Sequence, residues 1–415
     1  MPDPTKDAHD PSADDSAERL RDVYRDLHAN PELSSQEHRT AAIAAHWLGE
    51  QGYEVSEGIG GTGVVGVLAN GDGPTVLLRA DMDALPVLEA TGLPYASTVD
   101  GVMHACGHDL HVTCLLGAAQ ELAETREQWS GTLVALFQPA EETASGAVAV
   151  VEAGLYDLVP KPDVVLGQHV APLPAGTIGL RSGPAFAATD SLHVTMFGAG
   201  GHGSRPESTV DPVLMAASTV TRLQGVVSRE VAGADTAVLT IGALNAGTKA
   251  NIIPDQADLL LNVRSYSPDV RSNVLGAINR IVRAEAHASG AQQEPTIESI
   301  ESAPAVVNDA LAAARILPAL ESVVGAGMVI DPGPVTGSED VGVLATAAGA
   351  PIVFWLLGGA DPAAFLGATS QEDIIRVVAD LPSNHSPLYA PVEDPTIGIG
   401  VAALTAGALA WLRSD

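Results

Sequence analysis

Between Ser16 and Gln51 the apolar positions recur at helical spacing. Leu20, Val23, Tyr24 and Leu27 share one face, and Ile43, Trp47 and Leu48 share another. Asn30-Pro31 separates the two predicted helices, and Gly52 is suited to close the second. The period then changes. Gly63–Ala69 and Thr75–Ala80 are short apolar runs bounded by Gly, Asn and Pro, and they predict strands. Asp109–Thr125 predicts a helix with Leu115, Leu116, Ala119 and Leu122 facing inward. A strand at Thr132–Gln138, a helix at Gly146–Ala153 and a strand at Asp163–Gln168 follow. Strands separated by helices predict an α/β fold with a mostly parallel sheet and helices on both faces.

The character shifts after residue 185. A strand at Ser191–Phe197, a helix at Asp211–Leu223, strands at Ala237–Leu244 and Ala257–Arg264, a helix at Pro268–Ser289 and a strand at Pro295–Ile300 give the order β-α-β-β-α-β. This α+β block looks inserted into the first domain, whose pattern resumes with a helix at Asp309–Val324, a strand at Pro351–Leu357 and a helix at Pro395–Arg413. The expected organisation is a first domain over 16–185 and 302–415 and an inserted domain over 186–301. The segment 1–15, rich in Asp and Pro, is expected to be a disordered tail. A chain of 415 residues exceeds the ~250–300 at which single cores stop growing, which agrees with two domains.

Composition narrows the partners. With 51 acidic against 20 basic residues, the net charge of −31 repels polyanions, so neither nucleic acid nor an anionic membrane is expected. Aromatic residues make up only 4 %, too few for stacking platforms. The acidity serves solubility, or it steers a cationic substrate. No run of ~18 apolar residues stands out, so no membrane span is expected. The two cysteines, Cys106 and Cys114, cannot form a disulfide framework, and a reduced, cytoplasmic protein is the simplest expectation.

Candidate chemistry lies at the strand ends. Thr75–Ala80 runs into Asp81-Met82-Asp83, Thr132–Gln138 into Pro139-Ala140-Glu141-Glu142, and Asp163–Gln168 into His169. Ligands of open α/β sheets bind beyond the carboxyl ends of strands. Cys106-Gly107-His108-Asp109 adds a thiol and an imidazole two residues apart, both good ligands for zinc-like cations. Asp109 has the alternative role of helix cap. His104 and His111 are expected as supporting or surface residues, and Cys114 as a small core residue. Adjacent glutamates permit a division of labour, in which one carboxylate holds metal and the other takes a proton from water.

At this point the residues resemble a known family. Leu78-Arg79-Ala80-Asp81-Met82-Asp83-Ala84-Leu85-Pro86, Met103-His104-Ala105-Cys106-Gly107-His108-Asp109 and Phe137-Gln138-Pro139-Ala140-Glu141-Glu142 are similar to motifs of the M20 metallopeptidases. The nearest branch is that of hippurate hydrolases, aminoacylases and indoleacetyl-amino-acid hydrolases. The resemblance runs from about Leu20 to Leu409 and implies two divalent metal ions (Zn, Mn, Co or Ni). Cys106 would bridge them, with His108, Glu142, His169 and His385 as the other ligands. Glu141 would be the general base and Asp83 a supporting carboxylate. The inserted block would be a lid and homodimerisation domain. Within it, His202 of Gly200-Gly201-His202-Gly203-Ser204 would stabilise the oxyanion, Asn251 would contact substrate, and Arg264 would bind the substrate's carboxylate.

Three segments depart from the branch. Arg205-Pro206-Glu207 follows Gly-His-Gly where Pro-His is common. Asn384-His385 replaces a His-His pair, and Leu261-Asn262-Val263-Arg264 replaces Gly-Thr-x-Arg. The resemblance implies a small-molecule N-acyl amino acid substrate, with the amide on the α-nitrogen or on a lysine side chain. Alternatives are a dipeptidase or carboxypeptidase of the same fold, a cysteine hydrolase using Cys106 as nucleophile, and a catalytically silent binding protein.

Overall fold

Thr75–Asp81 is buried at all seven positions, because parallel strands flank it and the helices His108–Glu124 and Glu393–Leu412 pack on it. It occupies the middle of an eight-stranded sheet in this computed structural model, which describes residues 11–368 and 370–413. Gly131–Gln138 lies parallel to it on one side and Val164–Pro174 on the other, with Ile352–Ala360 parallel beyond. Glu54–Ile59 and Gly63–Asn70 extend one edge in antiparallel sense. The expected mostly parallel α/β sheet is therefore present. The strand Glu54–Ile59 was not expected; its exposed polar positions hide the period of a strand that buries only its last residue fully.

The chain divides into two compact units. One comprises residues 1–182, 308–332 and 344–415; the other comprises 183–307 and 333–343. In the second unit, strands Ala188–Phe197, Ala237–Ala246, Gln256–Ser265 and Thr296–Ala303 form an antiparallel sheet. Helices Pro212–Glu230 and Pro268–Ala288 alternate with them in the order β-α-β-β-α-β. Leu192, Val194, Met196, Leu259, Leu261 and Val263 alternate along two strands and share a core with Val226, Ile278 and Val282 of these helices.

Two expectations need correction. The helix Pro11–Ala29 begins inside the segment expected to be a tail, so 11–15 are helical, and 1–10 lie outside the described residues. The helix Glu393–Leu412 is also long and apolar enough to cross a bilayer by length and composition, with a mean hydropathy of 1.6. Its apolarity is carried by Ala and Gly among larger residues. In the fold it is a core helix, with Ile397, Val401, Leu404 and Leu412 buried in the main core. Gly400 lets it approach closely. A Cβ there would lie 2.4 Å from Cys114 Sγ and 2.8 Å from Gln168 Nε2. Gly400→Ala is expected to destabilise the protein by about 1–3 kcal/mol, since overpacking outweighs the gain in helix propensity. Urea unfolding checks this, and an unchanged midpoint would show that the helix shifts freely.

Candidate metal centre and active site

Asp83 follows the central strand and accepts four hydrogen bonds. Its donors are the backbone N–H groups of Glu141 (3.1 Å) and Glu142 (3.0 Å), the Ser34 hydroxyl (2.7 Å) and His108 Nδ1 (3.3 Å). The adjacent turn is fixed from the other side by Glu37. This fully buried carboxylate accepts from the N–H groups of Ser35 and Ala140 and from the Thr62 hydroxyl. Ala140 is held at φ +50°, a left-handed conformation that a non-glycine residue rarely adopts. Together these contacts present Glu141 and Glu142 at the sheet's carboxyl edge.

The first unit brings together Asp83, Cys106, His108, Glu141, Glu142, His169 and His385. Cys106 Sγ lies 3.4 Å from His169 Nε2, His385 Nε2 lies 3.3 Å from Glu142 Oε2, and His108 Nε2 lies 3.8 Å from Glu142 Oε1. Ligand atoms fall within 4.8 Å of one another in three overlapping groups: Cys106, His108 and His169; Cys106, Glu142 and His385; His108, Glu141 and Glu142. His385 reaches its place at φ +71°, with its N–H bonded to Ala105 O at 2.8 Å. Its neighbour Asn384 donates to Cys106 O (3.1 Å) and Val170 O (3.2 Å) and so ties two of these segments together.

The imidazole protons are set by their partners. His169 Nδ1 faces Val170 O at 2.8 Å and must donate, which leaves the lone pair on Nε2 facing Cys106. His111 Nε2 accepts from Val170 N at 2.7 Å, so its proton sits on Nδ1, bonded to Asp81 at 2.5 Å. Asp81 is also paired with the buried Arg79 at 2.6 Å, and Arg79 reaches Gln138 at 2.9 Å. His111 is thus fully buried and structural, not a surface residue.

The electrostatics favour a bound cation. Burial pushes the Cys106 thiol well up, and the Glu142 carboxylate adds to this while His108 opposes it. Burial likewise pushes Glu142 up to about 7, with His108 opposing and Asp83 and Asp81 reinforcing. Burial holds His169 well below the usual imidazole range and lowers His385, which favours the neutral forms that act as ligands. His108 is the exception: burial opposes its charge, but Asp81 and Cys106 overcome it and raise its pKa. His108 Nε2 and Glu142 Oε1 are buried without a hydrogen-bonding partner among the described residues. A thiol, three imidazoles and carboxylates facing one another, with orphaned lone pairs, fit divalent zinc, manganese, cobalt or nickel.

Sequence reasoning missed part of the surroundings. His28 Nδ1 meets Asp109 at 2.6 Å and its Nε2 meets Glu89 at 3.3 Å. Burial opposes the His28 charge, yet Asp109 and Glu89 outweigh it and raise the pKa to about 9. Asp109 is therefore a buried partner of His28, and the helix starts one residue earlier, at His108. His104 is buried with both ring nitrogens unpartnered among the described residues, and burial lowers it to about 4. His169 lies within the strand Val164–Pro174, not past its end. A usable signal for His111 was its i, i+3 spacing from His108 on one helix.

The remaining candidates belong to the second unit. His202 Nδ1 accepts from the N–H of Ser204 at 3.1 Å, with the Ser204 hydroxyl at 2.7 Å. A backbone N–H can only donate, so the neutral ring carries its proton on Nε2. His202 pairs in register with Ile252, which places Asn251 on the neighbouring turn, where its carbonyl accepts from Gly203 N at 2.9 Å. Arg264 lies on Gln256–Ser265 and donates from Nε to Asn262 Oδ1 at 2.9 Å.

Comparison with known proteins bears on this arrangement. The pattern of peptidase family M20/M25/M40 matches residues 77–381. N-acetylcysteine deacetylase of Bacillus subtilis (strain 168) is 40 % identical over 306 residues, covering 72 % of this chain and 80 % of that protein. Thermostable carboxypeptidase 2 of Saccharolobus solfataricus is 39 % identical over 324 residues, covering 77 % and 80 %. A solved Bacillus subtilis protein described as a dinuclear metal binding peptidase from the M20 family superposes with a TM-score of 0.74. It is 30 % identical and covers 95 % of this chain and 98 % of its own.

Cys106→Ala is expected to lower divalent metal content, read by elemental analysis of the purified protein. Two ions per chain retained at full occupancy would remove Cys106 from the ligand set.

Proposed function

The chain belongs to peptidase family M20/M25/M40 and is an amidohydrolase enzyme, and from that premise we propose that it hydrolyses N-acyl amino acids to a carboxylic acid and a free amino acid. The amide is on the α-nitrogen or on a lysine side chain. The observation that carries this reading is the Glu141-Glu142 pair, whose two N–H groups are both held by Asp83. In this reading one carboxylate serves the cations and the other takes the proton.

The proposed ligands are Cys106, His108, Glu142, His169 and His385. Two divalent ions held there would acidify water and polarise the scissile carbonyl. Glu141 takes the water's proton on a carboxylate oxygen as the new C–O bond forms. The same proton then passes to the amide nitrogen as the C–N bond breaks. His202, with its proton on Nε2, donates to the carbonyl oxygen as negative charge develops there. Asn251 contacts the substrate, and Arg264 grips its carboxylate, for which a guanidinium fork is suited. The relative named N-acetylcysteine deacetylase supports this substrate class, while the relative named thermostable carboxypeptidase 2 supports the second reading, cleavage of peptides.

The enzyme is further proposed to be a cytoplasmic homodimer joined through the second unit. Strand Ala237–Ala246 is at the edge of its sheet and exposes Val238 and Leu244, features that favour pairing with another copy. Both cysteines are free and buried, in keeping with a reducing compartment.

Glu141→Gln is expected to keep its metal content and lose turnover by on the order of 10² or more. Near-parental turnover would remove Glu141 as the base. A panel of α- and ε-linked N-acyl amino acids set against dipeptides separates the two readings; faster release from dipeptides would favour the peptidase. Light scattering is expected to give twice the chain mass, and a monomer at micromolar concentration would contradict the dimer.

A further inference from the structure

One face of the second unit's sheet packs on helices, and its other face carries a polar row. Asn262 and Ser191 are directly opposite in register, as are Arg264 and Thr189, and Glu301 lies opposite Ser191 on the far side. Asn262 Nδ2 donates to Thr189 Oγ1 and to Ser191 Oγ, both at 3.1 Å. Ser191 Oγ donates to Glu301 Oε2 at 2.9 Å, and Arg264 Nε donates to Asn262 Oδ1 at 2.9 Å.

This chain of bonds runs in one direction only. A guanidinium has no acceptor, so Asn262 must turn its oxygen toward Arg264. Ser191 spends its single hydroxyl proton on Glu301 Oε2 and so must accept from Asn262. Flipping the amide would set its NH₂ group against Arg264 and its oxygen against a hydroxyl whose proton is committed. The orientation is therefore fixed from both ends. With Nε engaged, the side edge of the guanidinium is closed to a ligand. Nη1 and Nη2 make no hydrogen bond among the described residues, so the terminal pair is the edge left to present.

We propose that Asn262 is a positioning residue that fixes Arg264 so that its Nη1/Nη2 pair receives the free carboxylate of the substrate. Asn262 thereby sets the preference for N-acyl amino acids over their carboxamides. This rests on the role given to Arg264 in the proposed function. It also gives a physical meaning to the departure Leu261-Asn262-Val263-Arg264.

The test compares an N-acyl amino acid with its carboxamide on holoenzyme carrying Arg264→Ala, Asn262→Ala or Asn262→Asp. An aspartate at 262 would pair with the guanidinium and compete with the substrate. Asn262→Asp is expected to raise KM for the carboxylate about tenfold or more while kcat stays within about twofold, and to leave the carboxamide nearly unaffected. Asn262→Ala is expected to act in the same direction more weakly. Calorimetric binding of both compounds to Glu141→Gln holoprotein reads the same selectivity without turnover. If Arg264→Ala leaves carboxylate affinity unchanged, the role of Arg264 fails and this inference falls with it. If Arg264→Ala weakens it and both Asn262 variants match the parent, Asn262 is not the positioning residue and the function stands. Equal losses for carboxylate and carboxamide would mark a structural effect and overturn the inference.

Discussion

Asp83 carries its carboxylate just past a fully buried strand, and there it gathers donors from three other parts of the chain. Ser34 comes from the connection between the first two helices, His108 from the start of a helix, and Glu141 and Glu142 from the turn after a neighbouring strand. Each is far from Asp83 in sequence, and none could be held so closely to a buried anion unless it donated a hydrogen bond. The carboxylate therefore acts as a template. Once the sheet places it, the positions of two glutamates and one imidazole follow.

A similar economy governs the imidazoles through Val170. Its N–H fixes the tautomer of His111 and its carbonyl fixes that of His169, while Asn384 and Tyr389 also donate to that carbonyl. A single residue of a central strand thus orients one supporting histidine and one ligand-type histidine. The cost of the arrangement is electrostatic. Cys106, Glu142, Asp81 and Asp83 are buried beside one another, and charged groups in such surroundings require compensation. Arg79, His111 and His108 compensate Asp81, and hydrogen bonds compensate Asp83. Cys106 and Glu142 keep the largest unmet demand, which a cation would satisfy.

Much of the fold was legible because its strands are short apolar runs punctuated by Gly, Pro and Asn, as at Thr75–Asp81 and Gly131–Gln138. The residues of the candidate centre were legible as polar types at or near strand ends, and the motifs supplied His385, which no periodicity marks. What could not be read were contacts made across long sequence distances. Glu37 reads as a helix-start acid, and only the fold shows that it holds Ala140 N. His28 reads as a helix-end base, and only the fold pairs it with Asp109. The left-handed backbone at Ala140 and His385 was equally hidden, since neither residue type announces it. The tail expectation failed at 11–15 because local composition does not register a helix extended from its stable end.

These observations separate two kinds of constraint within one chain. In the first unit, the groups that frame the candidate centre, Glu37, Asp81, Asp83 and the Val170 carbonyl, are each closed by several partners, so exchanging one of those partners would strand a buried neighbour without a donor or counter-charge. In the second unit, Arg264 and Asn262 are only half-buried and are aimed by one short relay of hydrogen bonds. Water can take over a bond lost there, so a substitution re-aims a side chain without leaving a buried charge exposed to its full cost. That difference accounts for where this chain departs from the branch it resembles. The closed network keeps its residues, and two of the three departures, beside His202 and at Asn262-Val263-Arg264, lie in the second unit. The third, Asn384, touches the centre only by donating to backbone carbonyls and the thiol, a role an amide fills without disturbing the surrounding charges.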